Sequence, residues 1–85
     1  MEFNLAAYLT SGIQAAGWRH LDLWIAALAT GADLELRDVD VDAIASGDRE
    51  PTHTQYDTIA AALNERFGEL GADHPIRTWN QLPDR

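Results

Sequence analysis

Apolar positions recur at helical spacing in four places along this chain. In the first, Leu5, Tyr8, Leu9, Ile13 and Ala16 fall on one face, predicting a helix over Leu5–Ala16. Asn4 stands where a capping side chain accepts early backbone N–H groups, and Phe3 and Tyr8 occupy the two positions of a hydrophobic staple. Gly12 weakens the middle of this helix, and Gly17 suits a left-handed stop. In the second place, Leu21, Trp24, Ile25 and Leu28 recur at i, i+3, i+4 and i+7. That predicts a helix over His20–Ala29 with this stripe inward, Trp18 packing as it begins and Gly31 as its stop. The stretch after it alternates imperfectly, with Leu34 and Leu36 on one side and Val39 and Val41 out of phase. A loop to about Arg37 is expected, then a short helix over Asp38–Ser46. Asp38 is the expected cap of that helix, Val41, Ile44 and Ala45 its inward face, and Gly47 its end. The last helix is the best signalled. Thr52 and Gln55 make a capping box after Pro51, and Tyr56, Ile59, Ala60, Leu63 and Phe67 form the buried stripe. Gly68 or Gly71 marks its stop.

Beyond Ala72 the chain is polar and irregular, and Pro75 and Pro83 forbid a continuous helix. Ile76 and Trp79 are expected to pin this segment back onto the body. The pattern thus predicts an all-α protein: a compact domain of four to five helices over residues 1–71, with an irregular C-terminal tail over 72–85.

Composition narrows the function. Eighty-five residues make one small domain, and 46% apolar residues suffice for a core. The absence of Cys excludes disulfides and Cys-based zinc sites. No apolar run reaches the roughly 18 residues of a membrane span. The longest, Leu21–Ala29, is interrupted by Asp22, and no signal peptide is visible, so a cytoplasmic protein without a membrane partner is expected. Fourteen acids stand against six Arg and no Lys, for a net charge of -8. Gly31–Glu50 alone holds seven acids and two Arg, a net of -5. Such a face either keeps a small protein soluble or meets a basic partner.

Ile44, Gly47, Arg49, Pro51, Tyr56, Ile59, Ala60, Ala62 and Leu63 form a run that resembles the Cro/repressor-like (XRE-type) helix-turn-helix family. Upstream, Gly17 and Trp18 resemble the family's Gly–Leu pair before the second helix, and Leu28 its late core Leu. The likeness covers roughly residues 5–68. It implies a small DNA-binding transcriptional regulator of phage or mobile-element type, with the third helix in the major groove of double-stranded DNA. It implies contacts from Arg19, His20, Arg37, Asp40, Ala43, Arg49, His53 and Gln55. Two features depart from the family. The connection Thr30–Arg37 is about twice the family's length, and the third helix carries Asp38, Asp40 and Asp42 where phosphates would lie. Regulators of this kind often neutralise about six to ten phosphates.

The alternative expectation is a helix-turn-helix scaffold turned to protein binding, its acidic face imitating DNA toward a basic protein surface. Asp33, Glu35, Asp38, Asp40, Asp42, Asp48 and Glu50 would form that face, with Trp79 as a further contact. A homodimer built through the tail is a third expectation. No nucleophile–base signature or phosphate-cradling Gly loop is present, so neither catalysis nor a cofactor is expected. His20 with Asp22, and His53 with Asp57, read as surface pairs, since no further ligands are spaced to complete a metal site.

Overall fold

The computed structural model describes residues 3–30, 36–71 and 75–82. These form four α-helices and a final 3-10 turn: α1 (Leu5–Ala15), α2 (His20–Thr30), α3 (Asp38–Ser46), α4 (His53–Leu70) and the turn Trp79–Gln81. There is no strand among the described residues. Gly31, Asp33, Leu34 and Glu35 lie outside them.

The ends of the helices follow from local chemistry. Asn4 Oδ1 accepts the Ala7 N–H at 3.0 Å, and the Phe3 and Tyr8 rings meet at 5.3 Å, so the cap and staple of α1 are both in place. Thr52 Oγ1 accepts from Gln55 N at 3.1 Å while Gln55 Oε1 accepts from Thr52 N at 3.0 Å, which is the capping box of α4. The cap of α3 differs from expectation. Asp38 is already the first helical residue and Arg37 takes the cap position. The acceptor is Asp40, whose Oδ2 reaches back to the Arg37 N–H at 3.0 Å. Asp22 treats the Arg19 N–H in the same way at 2.9 Å before α2, as does Gln81 the Thr78 N–H at 3.0 Å before the final turn. One device, an acceptor three residues into the element, therefore starts α2, α3, α4 and the 3-10 turn. Helix α3 stops at Gly47, whose φ of 88° is strained for any residue with a Cβ.

The core joins Leu5, Leu9 and Ile13 of α1, Leu23 and Ala27 of α2, Leu36, Val41 and Ile44, and the full expected stripe of α4. Helix α2 packs most extensively on α4, and α3 lies against both α1 and α2. The expected inward stripe of α2 is not the one used. Leu23 and Ala27 are buried, whereas Leu21 and Ile25 are 44% and 56% exposed. Trp24 and Leu28 lie half-buried at the border of the two faces. This helix is apolar on nearly every side, so periodicity alone offered two stripes. Packing on α4 chose the one with Leu23 and the small Ala27.

Residues 75–82 are fastened to the body. The Asn64 side chain brackets Ile76, accepting from its N–H at 2.6 Å and donating to its carbonyl at 3.1 Å. Tyr8 Oη accepts the Arg77 N–H, Tyr56 Oη donates to the Arg77 carbonyl at 2.7 Å, and Asp57 accepts the Trp79 N–H at 2.9 Å. Ile76 enters the core over Gly12, where a Cβ would stand 2.9 Å from Ile76 Cδ1. The expected anchoring role of Ile76 and Trp79 is therefore realised.

Candidate interaction surface

The residues singled out as DNA contacts separate into three places. The first is the junction of α3 and α4. Arg49 Nη1 donates to Asp40 Oδ1 at 2.7 Å and Arg49 Nη2 to Gln55 Oε1 at 2.8 Å. Asp40 and Gln55 are both buried and both cap helices. Arg49 thus ties the start of α3 to the start of α4. The Asp40 carboxyl is held below its ordinary value first by the Arg37 N–H, then, against its desolvation, by the charges of Arg49 and Arg37. It stays an anion whose two oxygens accept from Arg37 and Arg49 within the fold. The half-buried Ala43 serves the same junction, its carbonyl accepting the Asp48 and Arg49 N–H groups at 2.9 and 3.3 Å.

The second place is the start of α4 beneath the tail. His53 Nε2 lies 2.8 Å from Asp57 Oδ2, and its ring stacks on Trp79 at 5.7 Å and 22°. Tyr56 meets the same indole edge-on at 5.7 Å. Trp79 is accordingly half-buried, seated on its own chain.

The third place is a cleft of about 550 Å³ where α1, α2 and α3 meet, walled by Trp18, His20, Leu21, Asp38 and Asp42 among others. His20 Nδ1 lies 2.6 Å from Asp42 Oδ1, joining the first turn of α2 to the middle of α3. Arg19 opens onto this cleft, 3.5 Å from Asp22. The Asp22 carboxyl is lowered by the Arg19 N–H first and by the Arg19 guanidinium next.

Helix α3 itself shows what it offers to a partner. Val41, Ile44 and Ala45 face the core and Asp40 is turned to Arg49, which leaves Asp38, Val39, Asp42 and Ser46 exposed. The outward face has two carboxylates and no cation. Asp48 and Glu50 extend it into the following loop, also exposed. Of the acids expected on this face, Asp40 is the one the fold withdraws; Asp33 and Glu35 lie outside the described residues.

The cations are mostly engaged. Arg66 donates to the Ala16 carbonyl at the end of α1 and lies over the Trp18 ring at 5.8 Å. Arg19 and Arg37 keep side chains 80% and 79% exposed, each flanking an Asp. Among the described residues no three His, Asp or Glu side chains gather where they could hold a metal ion, and no helix is long and apolar enough to cross a membrane.

Sequence reasoning missed Leu21 and Ile25 as surface residues, while Val39, left off the expected inward face of α3, is exposed. The available signal was the excess of apolar residues on α2, more than one buried face of an 11-residue helix requires. Comparison with protein-family models, with curated proteins and with solved structures finds no match.

Proposed function

We propose that this chain is a binding module whose outward α3 face docks on a basic protein surface, on a scaffold of helix-turn-helix type. The observation that carries the reading is the division of charge around α3. Arg49, the cation best placed to clamp a phosphate, is bonded to Asp40 and Gln55, while Asp38 and Asp42 project outward. A DNA backbone laid along this face would bring phosphates to within about 5 Å of fixed carboxylates, at roughly 1–3 kcal/mol of repulsion for each close pair. Arg19 and Arg37 are too few to offset that against the several phosphate contacts such readers need. The same charges attract a surface rich in Arg and Lys, raising its association rate and fixing its orientation.

The test is titration of the full chain, followed by fluorescence anisotropy, with a labelled Arg-rich peptide and separately with a labelled DNA duplex, both at low ionic strength. The expected result is salt-dependent peptide binding, weakened when Asp38 and Asp42 become Asn, and no binding of the duplex. Duplex binding that disappears in Arg19→Ala or Arg37→Ala would overturn the reading and restore the regulator expected from the sequence.

A further inference from the structure

The exposed apolar residues of α2 lie next to the acidic face of α3. Leu21 and Ile25 are separated by one helical turn, so they share a face, and the exposed Ala29 continues it by another. Leu21 is also a wall of the cleft that holds Asp38 and Asp42. The 2.6 Å contact of His20 with Asp42 joins the first turn of α2 to α3, so the apolar ridge and the carboxylates adjoin on one side of the protein. Val39, beside Asp38 on α3, adds a third large or branched apolar side chain, 54% exposed.

From this juxtaposition we infer that the partner presents a cationic amphipathic helix. Its apolar face covers the Leu21–Ile25 ridge, and its Arg or Lys residues reach Asp38 and Asp42. The inference rests on the acidic-face reading above and adds the chemistry of the partner. Charge decides between this occupant and a second copy of the chain. Each copy carries -8, and pairing through this face would set Asp38 and Asp42 against like charges. A helix with basic flanks supplies the opposite sign. Two apolar side chains one turn apart form a ridge against which the apolar face of a partner helix can pack. The open cleft beside Leu21, about 550 Å³, is large enough to take one anchoring side chain.

The experiment uses the full chain and two synthetic peptides of equal composition and charge. In one, Leu and Arg are placed at helical spacing on opposite faces; in the other, the same residues are scrambled. Calorimetric titration should show the amphipathic peptide binding at least tenfold more tightly than the scrambled one. Leu21→Ser with Ile25→Ser should remove that preference while leaving the helical circular dichroism of the folded chain intact, because both side chains lie outside the core. Asp38→Asn with Asp42→Asn should weaken both peptides and flatten the salt dependence. Equal affinity for the two peptides, insensitive to Leu21→Ser and Ile25→Ser but lost with Asp38→Asn and Asp42→Asn, overturns the amphipathic partner and leaves the acidic-face reading standing. Binding of neither peptide overturns both. Self-association in sedimentation that Ile25→Ser abolishes assigns the ridge to a second copy and overturns the inference.

Discussion

Gly12 lies in the middle of α1, where an Ala should stabilise an ordinary helix by about 0.8–1 kcal/mol. The tertiary structure reverses that expectation. A Cβ at this position would stand 2.9 Å from Ile76 Cδ1 and 3.4 Å from Leu63 Cδ1. Asn64 holds the Ile76 backbone through its N–H and carbonyl, so relief must come from turning a side chain that is itself buried. Overpacking of this kind costs about 1–3 kcal/mol, so the net effect of Gly12→Ala is a loss of about 1 kcal/mol. In a domain of this size that lowers the melting temperature by roughly 4–8 °C. Ile76→Val removes the Cδ1 atom and should cost about 0.5–1.5 kcal/mol alone, yet it makes space for the new methyl group. The double variant should therefore be no less stable than Ile76→Val alone, giving a coupling of at least about 1 kcal/mol. Urea denaturation followed by circular dichroism measures all three variants against the parent. A Gly12→Ala protein more stable than the parent, or effects that add to within about 0.3 kcal/mol, would refute the packing of the tail over α1.

Three other outcomes are expected. Asn64→Ala removes both hydrogen bonds to Ile76 and should cost about 2 kcal/mol; tryptic cleavage after Arg77 should accelerate, and an unchanged rate would show that the segment is held otherwise. Gly47→Ala forces a side chain into a φ of 88°, with its Cβ in ordinary 3.5 Å contact with Ala6, so melting should report a loss of about 1–2 kcal/mol from backbone strain alone. The carboxyls of Asp22 and Asp40 are held below their ordinary 3.8 in the folded chain, so they contribute stability that is complete above the unfolded value and is lost as pH falls through the folded values. Acid titration should therefore show stability declining once pH drops below about 5, and Asp40→Asn should flatten that limb; an unaltered limb would remove Asp40 from the account.

What the sequence determined by itself is local. The Asn4 and Thr52 caps, the stop at Gly47, and the inward faces of α1, α3 and α4 all follow from contacts a few residues apart or from strong periodicity. The anchoring of Ile76 and Trp79 was legible only as apolar residues in a polar tail, while their partners Asn64 and Asp57 are set by the tertiary fold. The tertiary structure decided the rest, because the remaining choices were degenerate locally. Helix α2 carried enough apolar residues for two stripes, and only its packing on α4 selected Leu23 and Ala27 and left Leu21 and Ile25 outside. The three Asp residues of α3 look equivalent in the chain. Asp40 alone stands three residues past Arg37 and within reach of Arg49, so it turns inward as a cap while Asp38 and Asp42 remain outside. The sign and shape of the exposed face thus depend on which charges find partners across the fold, and such long-range pairings leave no periodic trace in the sequence.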